Sequence, residues 1–151
     1  WGDNVYVKIP VCNTQGESAA PLIGRLAGAG IKVNVTAILC ASQVDTVLAA
    51  LGNAPAIVSI FAGRIADTGR NPVGIINRAL ARKRLTIHEV LWASPRQVLD
   101  VYTADGLGCD IITLSPELID KLPLEGKNLE EYSRETVQQF YDDAAAARYS
   151  I

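Results

Sequence analysis

Five short apolar runs recur along this chain, each followed by a loop containing Gly, Pro or Ser and then by a segment of helical character. This alternation constrains the fold more than any other feature. The runs cover residues 5–9, 33–39, 57–61, 86–93 and 111–114. Helices are predicted over 19–29, 43–51, 73–83 and 96–104, with 116–121 and 129–147 following the last run. A parallel pair of strands needs a long crossover, usually a helix, so strands alternating with helices argue for a parallel α/β sheet.

Local signals mark several helix ends. Ser94-Pro95 and Ser115-Pro116 each place a capping serine before a proline, whose missing N–H costs nothing at the first helical position. Ser42 stands where it can cap the second helix, and "LGNAP" stops that helix with Gly52 and Pro55. In the last segment Leu129, Tyr132, Thr136, Phe140 and Ala144 form one stripe, expected to face the core or another subunit.

Two parallel architectures compete. A doubly wound sheet is covered by helices on both faces, so its strands are apolar throughout. A (β/α)8 barrel has one face against helices and the other inside the barrel, where polar groups are tolerated near the C-terminal mouth. Side-chain parity separates them. In "VYVKIP", Val5, Val7 and Ile9 share one face and Tyr6, Lys8 and Pro10 the other. In "KVNVTAIL", Val33, Val35 and Ala37 oppose Asn34 and Thr36. In "IVSIF", Val58 and Ile60 oppose Ile57, Ser59 and Phe61. Lys8, Asn34, Thr36 and Ser59 therefore fall on corresponding faces of three successive strands, as expected of an inward-facing polar site in a barrel. Lysine is rarely buried without a reason, and a shared interior cavity supplies one.

The net charge of −2 offers no basic surface for nucleic acid. No apolar run approaches the ~20 residues that a membrane helix requires. Cys12, Cys40 and Cys109 are far apart and in no metal-site spacing, so they read as free thiols of a reducing, cytoplasmic compartment, and no metal is expected. "GRLAGAG" precedes a strand, the wrong order for a dinucleotide-binding loop. His88 reads as a packed strand residue, and Arg78, Arg82, Lys83 and Arg84 as a solvated helix end. Methionine is absent throughout, position 1 included, so the chain is expected to be a processed or shortened product.

The blocks "VYVKIP", "GIKVNVTAIL", "VSIFAGRIADTG", "LWASPRQVLDV" and "CDIITLSPELIDKL", in this order and spacing, resemble the second part of the transaldolase family. The resemblance implies a (β/α)8 barrel of which this chain supplies about the last five strand–helix units. It implies that Lys8 forms a Schiff base with a ketose phosphate, that Asn34, Thr36 and Ser59 line the substrate, and that Arg64, Ser94 and Arg96 hold phosphate. No cofactor is expected. The implied reaction is transfer of a dihydroxyacetone unit between sugar phosphates, in carbohydrate metabolism of the pentose phosphate type.

Residue chemistry is compatible with these roles. An imine-forming amine must be neutral, and an iminium is an electron sink that lets a neighbouring C–C bond break. The planar guanidinium of arginine suits phosphate, although Arg64 and Arg96 read equally well as surface ion-pair partners.

The departures are equally specific. The resemblance begins at the family's fourth strand. The first three strands, which carry an aspartate and a glutamate in that family, have no counterpart, and Asp3 and Asp67 match neither acid. Ile60 and Ala62 stand where proline and valine are frequent, and Phe61 lacks the hydroxyl of the tyrosine acid in the related fructose-6-phosphate aldolases. Residues 1–151 are thus expected to form one domain, incomplete at its N-terminus by about three units and completed by an upstream segment or a second copy. Two other readings remain open: a non-catalytic fragment or subunit, and a simple aldolase releasing dihydroxyacetone to water.

Overall fold

Strands β1 (Val7–Pro10), β2 (Val33–Ile38), β3 (Ala56–Ile60), β4 (Glu89–Trp92) and β5 (Ile111–Ile112) pair in parallel and lie in the sheet in the same order as in the chain. A doubly wound sheet reverses its strand order at a switch point, whereas a barrel adds each strand beside the last. The uninterrupted order is that of part of a (β/α)8 barrel. These elements come from a computed structural model that describes residues 2, 4–83 and 86–149. The chain divides into two compact units, residues 1–118 and 119–151.

In the first unit the helices are α1 (Ala20–Gly28), α2 (Ala41–Leu51), α3 (Ala62–Ala66), α4 (Val73–Lys83) and α5 (Leu99–Leu107), with α6 (Pro116–Ile119) at its end. The two faces of the sheet separate as parity requires. Val33, Val35, Ile38, Val58, Ile60, Val90 and Trp92 belong to the main core, with Ile23, Val44, Val47 and Ile76 of the helices. A second, smaller cluster joins Ile57, Leu91 and Ala93 to Tyr6, Phe61 and Ile111.

One irregularity preserves this separation. Val35 aligns with Val58 and Ile38 with Ile60, so β2 has one residue more than β3 between the two pairs. Ala37 absorbs it with φ +62°, a left-handed conformation that a non-glycine residue adopts at some cost. Thr36 keeps the parity of Asn34, while Ile38 remains fully buried in the main core.

The helix ends differ from expectation at three places. α5 begins at Leu99 and not at residue 96, because Ser94 has φ +58° and caps nothing. Asp100 instead accepts the backbone N–H groups of Arg96 (2.6 Å) and Gln97 (3.2 Å), turning the chain ahead of the helix. Ser42 lies inside α2, and Gln43 does the capping by accepting from the N–H groups of Leu39 (2.8 Å) and Cys40 (3.2 Å). α3 was not anticipated, because five residues are too few to display a period. Ser115 and Pro116 start α6 as expected, with the Leu118 N–H 3.4 Å from Ser115 Oγ.

His88 is 2% exposed and packs just before β4, with Nε2 3.1 Å from the Gly52 carbonyl. Burial lowers its pKa, partly offset by hydrogen bonding to the Gly52 and Ala54 backbone. The unfolded chain therefore binds a proton more readily than the folded one. The stabilising contribution is whole above the unfolded value of about 6.5 and is lost as the pH falls from there through the lowered folded value. The melting temperature should drop between pH 7 and pH 5, and by less in a His88→Gln variant. Equal pH dependence of the two would dissociate His88 from the effect.

Of the basic cluster, Arg78 pairs with Asp45 of α2 (Nε to Oδ1 2.8 Å), which raises the arginine pKa and lowers that of the carboxyl, and Arg82 is exposed. The Lys83 side chain and Arg84 lie outside the described residues.

In the second unit a 3-10 turn (Leu122–Leu124) precedes α7 (Leu129–Ala146). Asn128 Oδ1 caps α7, accepting from Glu130 N (2.9 Å) and Glu131 N (3.2 Å). The predicted stripe on this helix is not part of the core: no residue of α7 is buried, and Leu129 is 78% and Phe140 65% exposed.

Candidate active site

Lys8 lies in the middle of β1, beside Asn34 of β2 in register. Asn34 in turn aligns with Ile57 of β3, two residues before Ser59. Ser59 is 1% exposed and donates its Oγ–H to Asn34 Oδ1 at 2.7 Å. That bond occupies the amide oxygen of Asn34 and fixes which way the amide faces, leaving its N–H₂ for a ligand oxygen. Thr36, also buried, has no hydrogen-bond partner for Oγ1 among the described residues. A buried hydroxyl without a partner is costly, and a ligand oxygen or water would relieve it. Lys8, Asn34, Thr36 and Ser59 thus lie on three adjacent strands, with Lys8 and Asn34 in register and Asn34 bonded to Ser59.

Lys8 itself is exposed. The expectation that it points into an enclosed interior is not met in these five strands. Among the described residues β1 has a strand neighbour on one side alone, and the open sheet furnishes one wall of a cavity.

Beyond the strand ends, the segment after β3 and the loop after β4 touch. Gly63 N–H donates to the Ala93 carbonyl at 3.3 Å. A Cβ on Gly63 would lie 1.5 Å from the Ser94 carbonyl oxygen, so no other residue fits without moving backbone. This close approach sets Ser94 and Arg96 against the start of α3, which carries Arg64. The Arg64 guanidinium carbon stands 5.4 Å from the centroid of the Phe61 ring. The Arg96 stem passes Gly63, its Cγ 3.3 Å from where a Cβ would be. Its head reaches Asp67, with Nε 3.1 and 3.2 Å from the two carboxylate oxygens and Nη2 2.6 Å from Oδ2. The neighbouring carboxylate raises the Arg96 pKa, so the side chain is a permanent cation.

Arg64, Ser94 and Arg96 are thus assembled at the C-terminal ends of β3 and β4, where barrels carry their sites. Sequence reasoning missed the part played by Asp67. The signal was its position four residues after Gly63, on the same side of a helical turn, but it becomes readable only once α3 is known.

The whole chain, residues 1–151, matches the family model described as transaldolase/fructose-6-phosphate aldolase. A probable transaldolase of Nitrosopumilus maritimus is 34% identical over 141 residues, which is 89% of this chain and 60% of that protein. Probable transaldolases of Caulobacter sp. strain K31 and Lactiplantibacillus plantarum are 36% and 33% identical, covering 87% and 88% of this chain. The chain spans about three-fifths of the length of these relatives.

Proposed function

Since the chain belongs to the transaldolase/fructose-6-phosphate aldolase family, we propose that it carries the Schiff-base half of a transaldolase site, with a ketose phosphate as donor and an aldose phosphate as acceptor. The observation that supports this most is the row Lys8–Asn34–Ser59 across β1, β2 and β3, with the Ser59–Asn34 hydrogen bond at 2.7 Å. An amine stands beside an amide whose donors are directed by a buried hydroxyl.

In the proposed cycle, neutral Lys8 Nζ attacks the ketose C2 carbonyl, and loss of water leaves an iminium. The C3–C4 bond then breaks as the hydroxyl on C4 gives up its proton. The bonding electrons pass into the iminium to form an enamine, and the shortened aldose phosphate leaves. The enamine carbon attacks the aldehyde of the acceptor, whose oxygen takes up a proton, and hydrolysis of the new iminium restores the amine. Asn34, and Thr36 through its unpartnered hydroxyl, hold hydroxyls of the three-carbon unit. Arg64, Ser94 and Arg96 bind the phosphate, where the guanidinium forks make charge-assisted bonds. Cys12, Cys40 and Cys109, none of them in a disulfide, suit a reducing compartment such as the cytoplasm.

Phe61 favours transfer over simple aldol cleavage. It packs with Ile57, Leu91 and Ala93 and offers no hydroxyl to protonate the enamine. Turnover of fructose 6-phosphate should therefore depend on an added aldose phosphate, with little free dihydroxyacetone released in its absence. Equal turnover with and without acceptor would identify an aldolase instead.

A further inference from the structure

Asp67 belongs to no recognised part of this chemistry, yet it makes the most extensive side-chain contact at the candidate phosphate end. It takes the Nε–H of Arg96 and one N–H of Nη2. A guanidinium has five N–H donors in a planar fork. Among the described residues no other acceptor hydrogen-bonds the Arg96 head, so Nη1 and the second N–H of Nη2 form a free edge.

The rest of Arg96 is held as well. Asp100 takes its backbone N–H, and its stem lies along Gly63. Gly63 and Asp67 stand one helical turn apart on the α3 segment, so stem and head run along the same short element.

We propose that Asp67 is a positioning residue for the phosphate end of the substrate: it clamps the side edge of the Arg96 guanidinium and presents the remaining edge to a phosphate monoester. This rests on the phosphate role given above to Arg64, Ser94 and Arg96. The formal charges of Arg64, Arg96 and Asp67 sum to +1, so the carboxylate weakens the attraction for a phosphate dianion. What it returns is a fixed fork. Without it, an exposed arginine samples many rotamers, and binding must stop that motion.

The two effects have opposite signs, so kinetics decide between them. Borohydride trapping at Lys8 is measured in the assembled, sugar-transferring enzyme against concentration of fructose 6-phosphate and, separately, of dihydroxyacetone. Arg96→Ala should raise the half-saturating concentration of fructose 6-phosphate about 10- to 100-fold, as expected for loss of a charge-assisted contact, and leave that of dihydroxyacetone unchanged. Asp67→Ala should raise it about two- to fivefold, the range of an exposed ion pair, for the phosphorylated donor alone. The maximal trapping rate should hold, and Asp67→Glu should recover part of the loss. Thermal melting of each variant identifies one that has lost its fold.

An Arg96→Ala variant that fails to distinguish the two donors overturns the phosphate assignment itself. If Arg96→Ala does distinguish them, but Asp67→Ala is neutral, binds fructose 6-phosphate more tightly or weakens both donors equally, the positioning role alone is overturned.

Discussion

Borohydride added to the assembled enzyme with a ketose phosphate is expected to fix one sugar adduct, on Lys8, and Lys8→Arg is expected to eliminate it. The chain has five lysines: Lys8, Lys32, Lys83, Lys121 and Lys127. Lys127 pairs with Glu135 and stands 4.6 Å from the Tyr132 ring centroid, and Lys32 lies 5.7 Å from that of Tyr6, so both amines are engaged away from the Asn34 amide. Lys8 alone aligns with the amide of Asn34.

The arginine variant makes a stringent test. Lys8 is exposed and its backbone carries the β1–β2 pairing, so the substitution preserves charge and strand while removing the nucleophile. Transfer should fall on the order of 10³-fold or more, as when a covalent nucleophile is deleted, with the melting temperature little changed. Peptide mapping that finds the adduct on another lysine, and none on Lys8, would sink the assignment.

Strand parity was the legible part of this protein. Alternation within "VYVKIP", "KVNVT" and "IVSIF" fixes which side chains share a face, and the register sets Lys8, Asn34 and Ser59 on neighbouring strands as that parity demands. Loop geometry was much less legible. Ser94-Pro95 has the chemistry of a helix start, but contact with Gly63 holds Ser94 at φ +58° and delays α5 to Leu99. That contact links residues thirty-one positions apart, and local sequence carries no trace of it. Asp67 was hidden for the same reason, since its partner comes from the next strand–helix unit. The α7 stripe illustrates another limit: helical spacing identifies a shared face but does not say what covers it.

The isolated 151-residue polypeptide is expected to be inactive in sugar transfer and poorly stable as a monomer, and complementary strand–helix units are expected to restore both properties. Among the described residues β1 and β5 each have a strand neighbour on one side alone, so the sheet presents two open edges. Five parallel strands cannot close on themselves, since a barrel of this type needs eight. The open geometry has a direct consequence for the site. The inner cluster of Ile57, Leu91 and Ala93 has no opposite wall in these strands, and Lys8, on an edge strand, stays exposed. An enamine in that position would meet bulk water, take up a proton and be lost by hydrolysis of the resulting iminium before an acceptor arrived, because closure of a site is what protects such intermediates. Three further units, on the order of 80–90 residues at ~30 per unit, would pair both edges and cover the inner face. The corresponding N-terminal segment of the Nitrosopumilus maritimus relative, fused ahead of Trp1 or supplied as a separate chain, is the natural donor. Transfer rate, melting temperature and hydrogen exchange at the β1 amides should then rise, rise and slow together. A cooperative, monomeric and fully active 151-residue chain would overturn this, and would mean that an open five-stranded sheet can shelter a Schiff base.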